Sequence, residues 1–365
     1  MALSTIKTAS ITDDAVTTPK VSDGVFNAHR NLIINGAMTV AQRGTSGTIS
    51  ADNSFVSLDR WGARTYGGTG RFSVAQDTTV PTGQTFTNSL KATVTTTDTS
   101  GTYGYSIKQN LEGYTVNQLR TGTSDALKST LSFWVRSSVA GTYCCSVRGT
   151  SGAASYVFEY TLAADTWTKI EHTIAEPTTT TPSWDRTNGA DYLLEWSLGS
   201  QTSKQTATTE SWHDGNYTAT SNQTDWIATS GATFYLTGVQ LEVGDTATPF
   251  EHRSYGDELA RCQRYYQLVD GGVGKVTTLN NNVQIMVRAV CDMRATPSLA
   301  VTTLRMTDCT TADYDDASVT VGASNVNLRG GRMNLGMSST AAVGTTVMLI
   351  CTGTNAAPVQ LSAEF

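Results

Sequence analysis

The sequence predicts a mostly β protein. A jelly-roll β-sandwich is followed by a short helix and a second, smaller C-terminal β-sandwich, and a short extended N-terminal segment precedes them. Three observations support this fold class. Short segments that alternate apolar and polar residues recur between Gly- and Ser-containing turns. Only 15% of the 365 residues are charged, and Thr, Ser and Gly take their place, which suits a pleated surface. Near residue 255 the apolar period changes from two to helical spacing.

The N-terminal segment, residues 1–29, contains apolar residues that recur every five positions. They are Ile6, Ile11, Val16, Val21 and Phe26. Five residues rotate an α-helix by about 500°, and an odd spacing alternates the faces of a strand, so neither element buries the set. We therefore expect this segment to pack against symmetry-related copies of the chain or to dock onto another protein; its spacing also resembles that of leaders at the N-termini of phage fibres, which implies trimerisation or attachment to the particle. A frayed terminus is the alternative.

The predicted jelly-roll domain covers residues 30–252. Asn31–Met38 is predicted to be a buried strand, and Asp59 and Arg60 are either a buried pair beneath Trp61 or solvated loop charges. Alternation predicts the strands Phe72–Val74, Ser89–Val94, Tyr103–Asn110, Ser129–Arg136, Thr142–Arg148, Tyr156–Leu162, Thr168–Ile174, Asp185–Gly199 and Phe234–Val243. A long polar insertion, Gln201–Gly231, precedes the last of them.

The last strand of this domain leads into a linker helix, predicted over residues 253–269. A slip in the alternation near Gly238 suits a β-bulge. Leu259, Cys262 and Tyr266 fall on one face of a helix that starts near Tyr255. After a junction at 269–274, residues 270–365 are predicted to form the C-terminal β domain, with strands at 284–290, 298–303, 318–321, 332–337, 346–351 and 359–365.

The run GVQLEVG…ATPFEHRSYGDELARCQRYY, at residues 238–266, resembles a segment of bacteriophage tail-fibre and minor structural proteins. The opening NLIINGAM…RG…DRW and the later MRATPS extend the resemblance. The stretch LSFWVRSS…GTYCCSVRG…TLAADTWTKIEHTI is similar to carbohydrate-binding-module-like jelly rolls. The resemblance implies a virion tail fibre, made in the host bacterial cytoplasm, that adsorbs to the host surface.

The same resemblance implies the partners. They are two further copies in a homotrimer, other phage tail or baseplate proteins bound through the N-terminus, and a host surface polysaccharide bound by the C-terminal tip. Two alternatives remain: a purely structural part of the virion, such as a head fibre, collar or tail-hub component, and a glycan depolymerase.

Composition argues against several other classes. The net charge of −6 is spread along the chain without a basic stripe, so nucleic acid is not an expected partner. No apolar run reaches the roughly eighteen residues of a membrane span, and the first residues lack the apolar core of a signal peptide. The six cysteines show no zinc spacing, and free buried thiols are expected in place of disulfides.

Catalysis is not expected. The four histidines lack a GxSxG partner, and no phosphate-binding glycine loop is present. Paired carboxylates are the one catalytic arrangement to consider, because glycosidases use two carboxyl groups to cleave the glycosidic bond. The candidate groupings are Asp185 with Glu195, Glu210 with Asp214, and Asp313 with Asp315 and Asp316. In a chain rich in Ser, Thr and Asp such neighbours are typical of turns.

Glycan binding is the stronger hypothesis, because a sugar ring stacks on an aromatic face while polar groups bind its hydroxyls. The candidate residues are Trp184, Asp185, Trp212, His213, Asp214 and Tyr217, and packing is the alternative for Trp212. Candidates at the C-terminal tip are Asp313, Tyr314, Asp315, Asp316, Arg329 and Arg332. The aspartates among them suit calcium or a solvated turn. No other metal and no cofactor are indicated.

Overall fold

The computed structural model describes residues 29–49, 52, 54–149, 154–178, 184–278, 282–301, 304–308, 313–316, 320–336, 344–350 and 359–365. The predicted attachment residues Ile6, Ile11, Val16, Val21 and Phe26 lie outside this range. Across the described residues the protein is mostly β with few short helices, which confirms the predicted fold class. No helix of this part of the chain is long and apolar enough to cross a membrane.

Among the residues that the structure describes, twelve strands form the sandwich. They are β1 (Ser46–Ile49), β2 (Gly62–Tyr66), β3 (Arg71–Asp77), β4 (Ser89–Thr96), β5 (Gly104–Glu112), β6 (Lys128–Ser137), β7 (Gly141–Gly149), β8 (Ala154–Leu162), β9 (Thr168–Ala175), β10 (Ala190–Ser200), β11 (Trp212–Asp214) and β12 (Thr233–Val243). The first sheet has the order β1-β3-β4-β12-β6-β9, and the second β11-β8-β7-β10-β5-β2. All pairings within these two sheets are antiparallel.

The core lies between the two sheets, where alternate residues of each strand meet. Leu131, Phe133 and Val135 on β6 are fully buried, as their period of two predicts. The Phe133 ring meets Trp196 of the second sheet edge to face, with centroids 5.5 Å apart. This geometry adds about 0.5–1.5 kcal/mol to the burial of the rings.

The segment Asn31–Met38 is buried but irregular, so the predicted strand is wrong. The Leu32 amide still donates to the Leu241 carbonyl of β12 at 2.8 Å, but the next backbone amides bond to side chains. The Ile34 amide donates to Gln109 Oε1 (3.0 Å), and the Asn35 amide donates to Glu258 Oε1 (2.6 Å). Asn35 also has a φ of 59°, which ends an extended conformation. Apolar content therefore predicted the burial of this segment and not its shape.

Asp59 and Arg60 are both buried, at 0% and 1% exposure, but they are not paired with each other. The Gln42 amide donates to Asp59 Oδ1 at 3.0 Å. Arg60 pairs with Glu364 near the C-terminus. Adjacent charges on an irregular segment point in different directions, so sequence neighbours here have different partners.

The bulge predicted in β12 is confirmed. The register between β12 and β6 shifts between Thr237 and Gln240. Gly238 within it has a φ of +60°, a conformation that glycine adopts without a Cβ penalty. The Phe86 ring packs so closely on Gly238 that a Cβ would lie 2.5 Å from it. The bulge therefore makes room for an aromatic side chain on the outer face of the first sheet.

Two α-helices are present among the described residues, α1 (Gly113–Val116) and α2 (Tyr255–Gln263). Ser254 caps α2, since its side chain accepts from the Asp257 amide at 3.2 Å. Leu259 and Cys262 face a small apolar cluster, as their spacing predicts. Tyr266 does not continue the helix and instead begins the next strand.

In the described part of the chain after α2 there are ten strands. They are β13 (Tyr266–Val269), β14 (Val273–Thr278), β15 (Asn282–Arg288), β16 (Ser298–Ala300), β17 (Leu304–Thr307), β18 (Asp313–Asp316), β19 (Thr320–Asn327), β20 (Gly330–Gly336), β21 (Thr346–Ile350) and β22 (Val359–Ser362). They form a three-stranded sheet, β13-β22-β16, and a seven-stranded sheet, β18-β17-β21-β14-β15-β20-β19. Apolar residues of both sheets share one core.

Candidate functional site

The polar insertion between β10 and β12 lies on the outer face of the second sheet. Its short strand β11 pairs with β8. Ala219 and Tyr217 of the insertion pack on Cys144 and Val157, which point outward from β7 and β8. The insertion therefore covers one half of this face and leaves an opening over β2, β5 and β10.

This opening is a cavity of about 250 Å³, which we call the charged cavity. Its lining residues are Arg64, Tyr66, Gly104, Tyr105, Glu195, Gly199, Gln201, Lys204, Asn216 and Thr218. Four of these, from Gln201 to Thr218, belong to the insertion. The cavity exists because the insertion folds back over the sheet.

Glu195 is the central carboxylate of the charged cavity and is 2% exposed. Its Oε1 accepts from the Ser106 hydroxyl at 2.5 Å and lies 3.9 Å from an Arg64 nitrogen, and its Oε2 pairs with Arg148. Burial acts to raise the pKa of Glu195, but Arg148, Arg64, Ser106 and Lys108 together lower the pKa to about 2. The carboxylate is therefore ionised and fixed at neutral pH.

Cations surround this carboxylate. Arg148 is 3% exposed and also donates to Asn216 of the insertion. Burial lowers the pKa of Lys108, and Arg64 and Arg148 lower it further, while Glu195 acts in the opposite direction. Burial likewise lowers the pKa of Lys204, with Arg148 and Arg64 adding to the effect.

One side of the charged cavity offers an aromatic face. The Tyr66 side chain is 51% exposed, and the Arg64 guanidinium lies 5.8 Å from its ring centroid. Tyr105 is 1% exposed, and its hydroxyl donates to Asp98 at 2.9 Å. The cavity thus combines one open ring with fixed hydrogen-bonding groups.

A second cavity, of about 490 Å³, lies on the outer face of the first sheet, and we call it the aromatic cavity. Its lining residues are Gln84, Thr85, Phe86, Ser132, Trp134, Lys169, Gly238, Ala247, Thr248, Pro249, Phe250 and His252. Phe86 and Phe250 meet edge to face at 5.1 Å. His252 Nε2 lies 2.7 Å from the Thr85 hydroxyl, and Trp134 is partly exposed.

The two tryptophans predicted to bind glycan are packed together. Trp184 is 8% exposed, and its ring meets Trp212 edge to face at 5.6 Å. The Trp212 indole donates to the Ala175 carbonyl at 2.8 Å and packs on the sandwich core. Packing, the alternative for Trp212, thus accounts for contacts of its ring with Tyr156 and Trp184, while part of the side chain is exposed.

The other predicted glycan-binding residues are more accessible. His213 and Tyr217 are partly exposed and stack with ring centroids 5.1 Å apart, and Asp214 is exposed. Asp185 Oδ1 accepts from the Thr187 amide at 2.6 Å, which is a turn geometry. Glycan binding by all six of these residues stays a prediction.

The C-terminal candidates lie on two strands and in the turn before β20. The backbone of Asp313, Tyr314, Asp315 and Asp316 forms β18, which pairs with β17. Arg329 Nε lies 2.7 Å from Asp292 Oδ1 in an exposed pair, and Arg332 Nη1 lies 3.4 Å from Gln284 Oε1. In the described part of the chain, no three His, Cys, Asp or Glu side chains are grouped to hold a metal ion.

The sequence reasoning missed Arg64, Lys108, Arg148 and Lys204. Lys108 and Arg148 lie on strands that were predicted correctly, at positions where the alternation points away from the core. Reading the outward positions of adjacent strands together would have placed them on one face. The same comparison would not have found Lys204, because this residue lies in the insertion, which folds over the sheet.

Comparison with solved structures finds distant likenesses to the sandwich. The enzymatically active domain of bacteriophage CBA120 tailspike protein 4 matches with a TM-score of 0.30 and 12% identity, over 59% of this chain and 21% of that one. A putative sugar binding protein from Bacteroides thetaiotaomicron matches at 0.34 and 12%, over 59% and 100%. The family 11 carbohydrate-binding module of a Clostridium thermocellum cellulase matches at 0.28 and 13%, over 56% and 98%.

This chain therefore spans about a fifth of the tailspike structure that it matches. No family model matches the sequence, and a search of curated proteins finds no relative.

Proposed function

We propose that this protein binds glycans and that its charged cavity holds the sugar. The observation that carries the proposal is the joint presence of an exposed aromatic ring and immobilised polar groups in one cavity. Tyr66 supplies the ring, and Glu195 and Asn216 supply acceptors that Arg148 holds in place. Fixed groups lose little conformational entropy on binding, so a sugar residue meets a prepared site.

The aromatic cavity is the second candidate site for the same function. Trp134 offers a partly exposed ring beside polar groups of Ser132 and Lys169. The two cavities lie on opposite sheets of the sandwich. A substitution in one of them therefore leaves the other intact, and the two assignments are separable by experiment.

At a finer level we propose that the protein is a bacteriophage tail fibre. The resemblance of residues 238–266 to tail-fibre and minor structural proteins supports this role. In this proposal the fibre is a homotrimer in the virion tail, attached through its N-terminus, and it adheres to host surface polysaccharide without cleaving it. Several weak sites on one trimer add their affinities through effective concentration.

A glycan array that includes bacterial surface polysaccharides tests the binding proposal. For each glycan bound, affinities of the wild type, Tyr66→Ala, Trp134→Ala and Tyr114→Ala are compared. Loss of one stacking ring should weaken binding about three- to tenfold. Tyr114, at 61% exposure and outside both cavities, is the matched control.

The outcomes separate the sites. Weakening by Tyr66→Ala alone supports the charged cavity, and weakening by Trp134→Ala alone moves the site to the aromatic cavity. Binding to no glycan contradicts the proposal and favours a structural virion component. Loss of polymer viscosity that is abolished by substituting Asp185 or Glu210 would instead establish a depolymerase.

A further inference from the structure

The charge around the charged cavity is unbalanced. Four cationic side chains, Arg64, Lys108, Arg148 and Lys204, act on a single central carboxylate, Glu195. Arg64 has a second partner, Asp52, at 3.1 Å on the outer side. Counting both carboxylates, the group still has two more positive than negative charges.

The Glu195 carboxylate already has partners on both of its oxygens. One oxygen is engaged by Ser106 and Arg64, and the other by Arg148. Within the part of the chain that the structure describes, no carboxylate lies within ion-pair distance of the Lys204 or Lys108 ammonium group. An uncompensated charge in a partly dehydrated site is costly.

We infer that the charged cavity binds the acidic group of an anionic sugar, a carboxylate, sulfate or phosphate, and that Lys204 and Arg64 contact it. This inference rests on the proposed glycan-binding function. The negative charge of this acidic group would balance the excess positive charge around the cavity. The lowered pKa of Lys204, caused by burial and by Arg148 and Arg64, agrees with this reading.

Size and position support the same ligand. A cavity of about 250 Å³ is smaller than the roughly 300–1,000 Å³ that hold a drug-sized molecule, so it suits one sugar residue of a longer chain. Lys204 stands on the insertion and Arg64 on the sheet. An acidic group between them is therefore clamped from two sides, while the sugar ring can lie against Tyr66.

Matched pairs of polysaccharides test the inference. Each pair shares a backbone and differs in the acidic group: a uronan and its methyl ester, a sulfated glycan and its desulfated form, and a phosphorylated glycan and its dephosphorylated form. The dissociation constant of each is measured at low and high salt. We expect the acidic member of at least one pair to bind tenfold or more tightly, and salt to reduce this difference.

Substitutions in the charged cavity then show which residues cause the preference for the acidic member. Lys204→Gln and Arg64→Gln should each remove most of the preference for the acidic member, measured as the ratio of the two dissociation constants within one pair, and Lys204→Arg should retain it. Lys128→Gln removes an equal charge from a position that is 59% exposed and outside the cavity, and should change neither affinity. Circular dichroism verifies that each variant is folded.

The failures are distinguishable. Equal affinity for both members of every pair, or tighter binding of the neutral members, overturns the inference and leaves the proposed function in place. An acidic preference that persists in both Lys204→Gln and Arg64→Gln also overturns it. Absence of binding to every member contradicts the proposed function itself, and the inference with it.

Discussion

Arg60 and Glu364, 304 residues apart in the chain, form a buried ion pair in which the side chains are 1% and 6% exposed. The Arg60 guanidinium also stacks on Tyr265 at 3.4 Å from the ring centroid, and donates to the Asn110 carbonyl at 2.5 Å. The last residues of the chain thus fold back onto the first domain. One arginine connects the sandwich, the segment after α2 and the C-terminus.

Removing this arginine should destabilise the protein strongly. Arg60→Gln leaves the Glu364 carboxylate buried without its closest partner, and the expected loss is about 3–5 kcal/mol in the free energy of unfolding. Urea denaturation followed by tryptophan fluorescence measures it. Arg329→Gln, which breaks an exposed pair with Asp292, is the control and should not shift the midpoint. Equal midpoints for both variants would contradict the role of Arg60.

Because of Glu195, the free energy of unfolding should decrease as the pH falls into the acidic range. The pKa of Glu195 is about 2 in the folded protein against an ordinary 4.5, so the unfolded chain takes up the proton first as pH falls. The stabilisation is complete above pH 4.5 and is lost between about pH 4.5 and pH 2. Unfolding midpoints measured across this range test it.

Substitution of Glu195 provides the control for that measurement. Glu195→Gln should unfold more easily at neutral pH, by about 3–5 kcal/mol, because Arg148 is left buried without its ion pair. Its stability should then fall less between pH 4.5 and pH 2 than that of the wild type. A Glu195→Gln profile as steep as that of the wild type would refute the assignment.

Gly238 in the β12 bulge should not tolerate replacement by a residue with a Cβ. Gly238→Ala should cost at least about 1–2 kcal/mol, because its φ of +60° is unfavourable for a residue with a Cβ and because that Cβ would meet Phe86. Thermal unfolding measures the loss. Gly256→Ala in α2, where no atom lies within 4 Å of the added Cβ, should instead gain about 0.5–1 kcal/mol.

The cysteines should differ in reactivity. Burial raises the pKa of Cys144 to about 11 and raises the pKa of Cys145 and Cys262, and all three are buried free thiols. Cys291 is only partly buried, so at pH 8 an alkylating reagent should modify it before those three. Peptide mapping by mass spectrometry, with urea-unfolded protein as control, gives the order. Rapid labelling of Cys144 in the folded protein would contradict the structure.

Local pattern was enough to predict most strands of the sandwich. Alternation located Ser129–Arg136 within one residue at each end of β6, and the slip at Gly238 predicted the bulge. It failed at Asn31–Met38, where side chains from distant segments accept the hydrogen bonds of the Ile34 and Asn35 amides. It also placed Tyr266 in the helix, because an apolar residue at helical spacing fits either the last turn or the start of a buried strand.

The candidate site was less predictable than the fold. Trp184 and Trp212 have the residue type that a sugar site needs, but only the tertiary structure shows that their rings pack edge to face. Lys204 and Arg64 are 140 residues apart in sequence and meet at one cavity because the insertion folds over the second sheet.

The sequence by itself determined the β class, the period of the strands, the bulge at Gly238 and the position of α2, because these depend on residues close together in the chain. The tertiary structure decided which charges are paired, which aromatic rings stay open and where a cavity forms. Those properties depend on contacts between distant segments, as the pairs Arg60–Glu364 and Arg148–Glu195 show. No local pattern encodes such contacts, since burial and charge are set by what folds against each side chain.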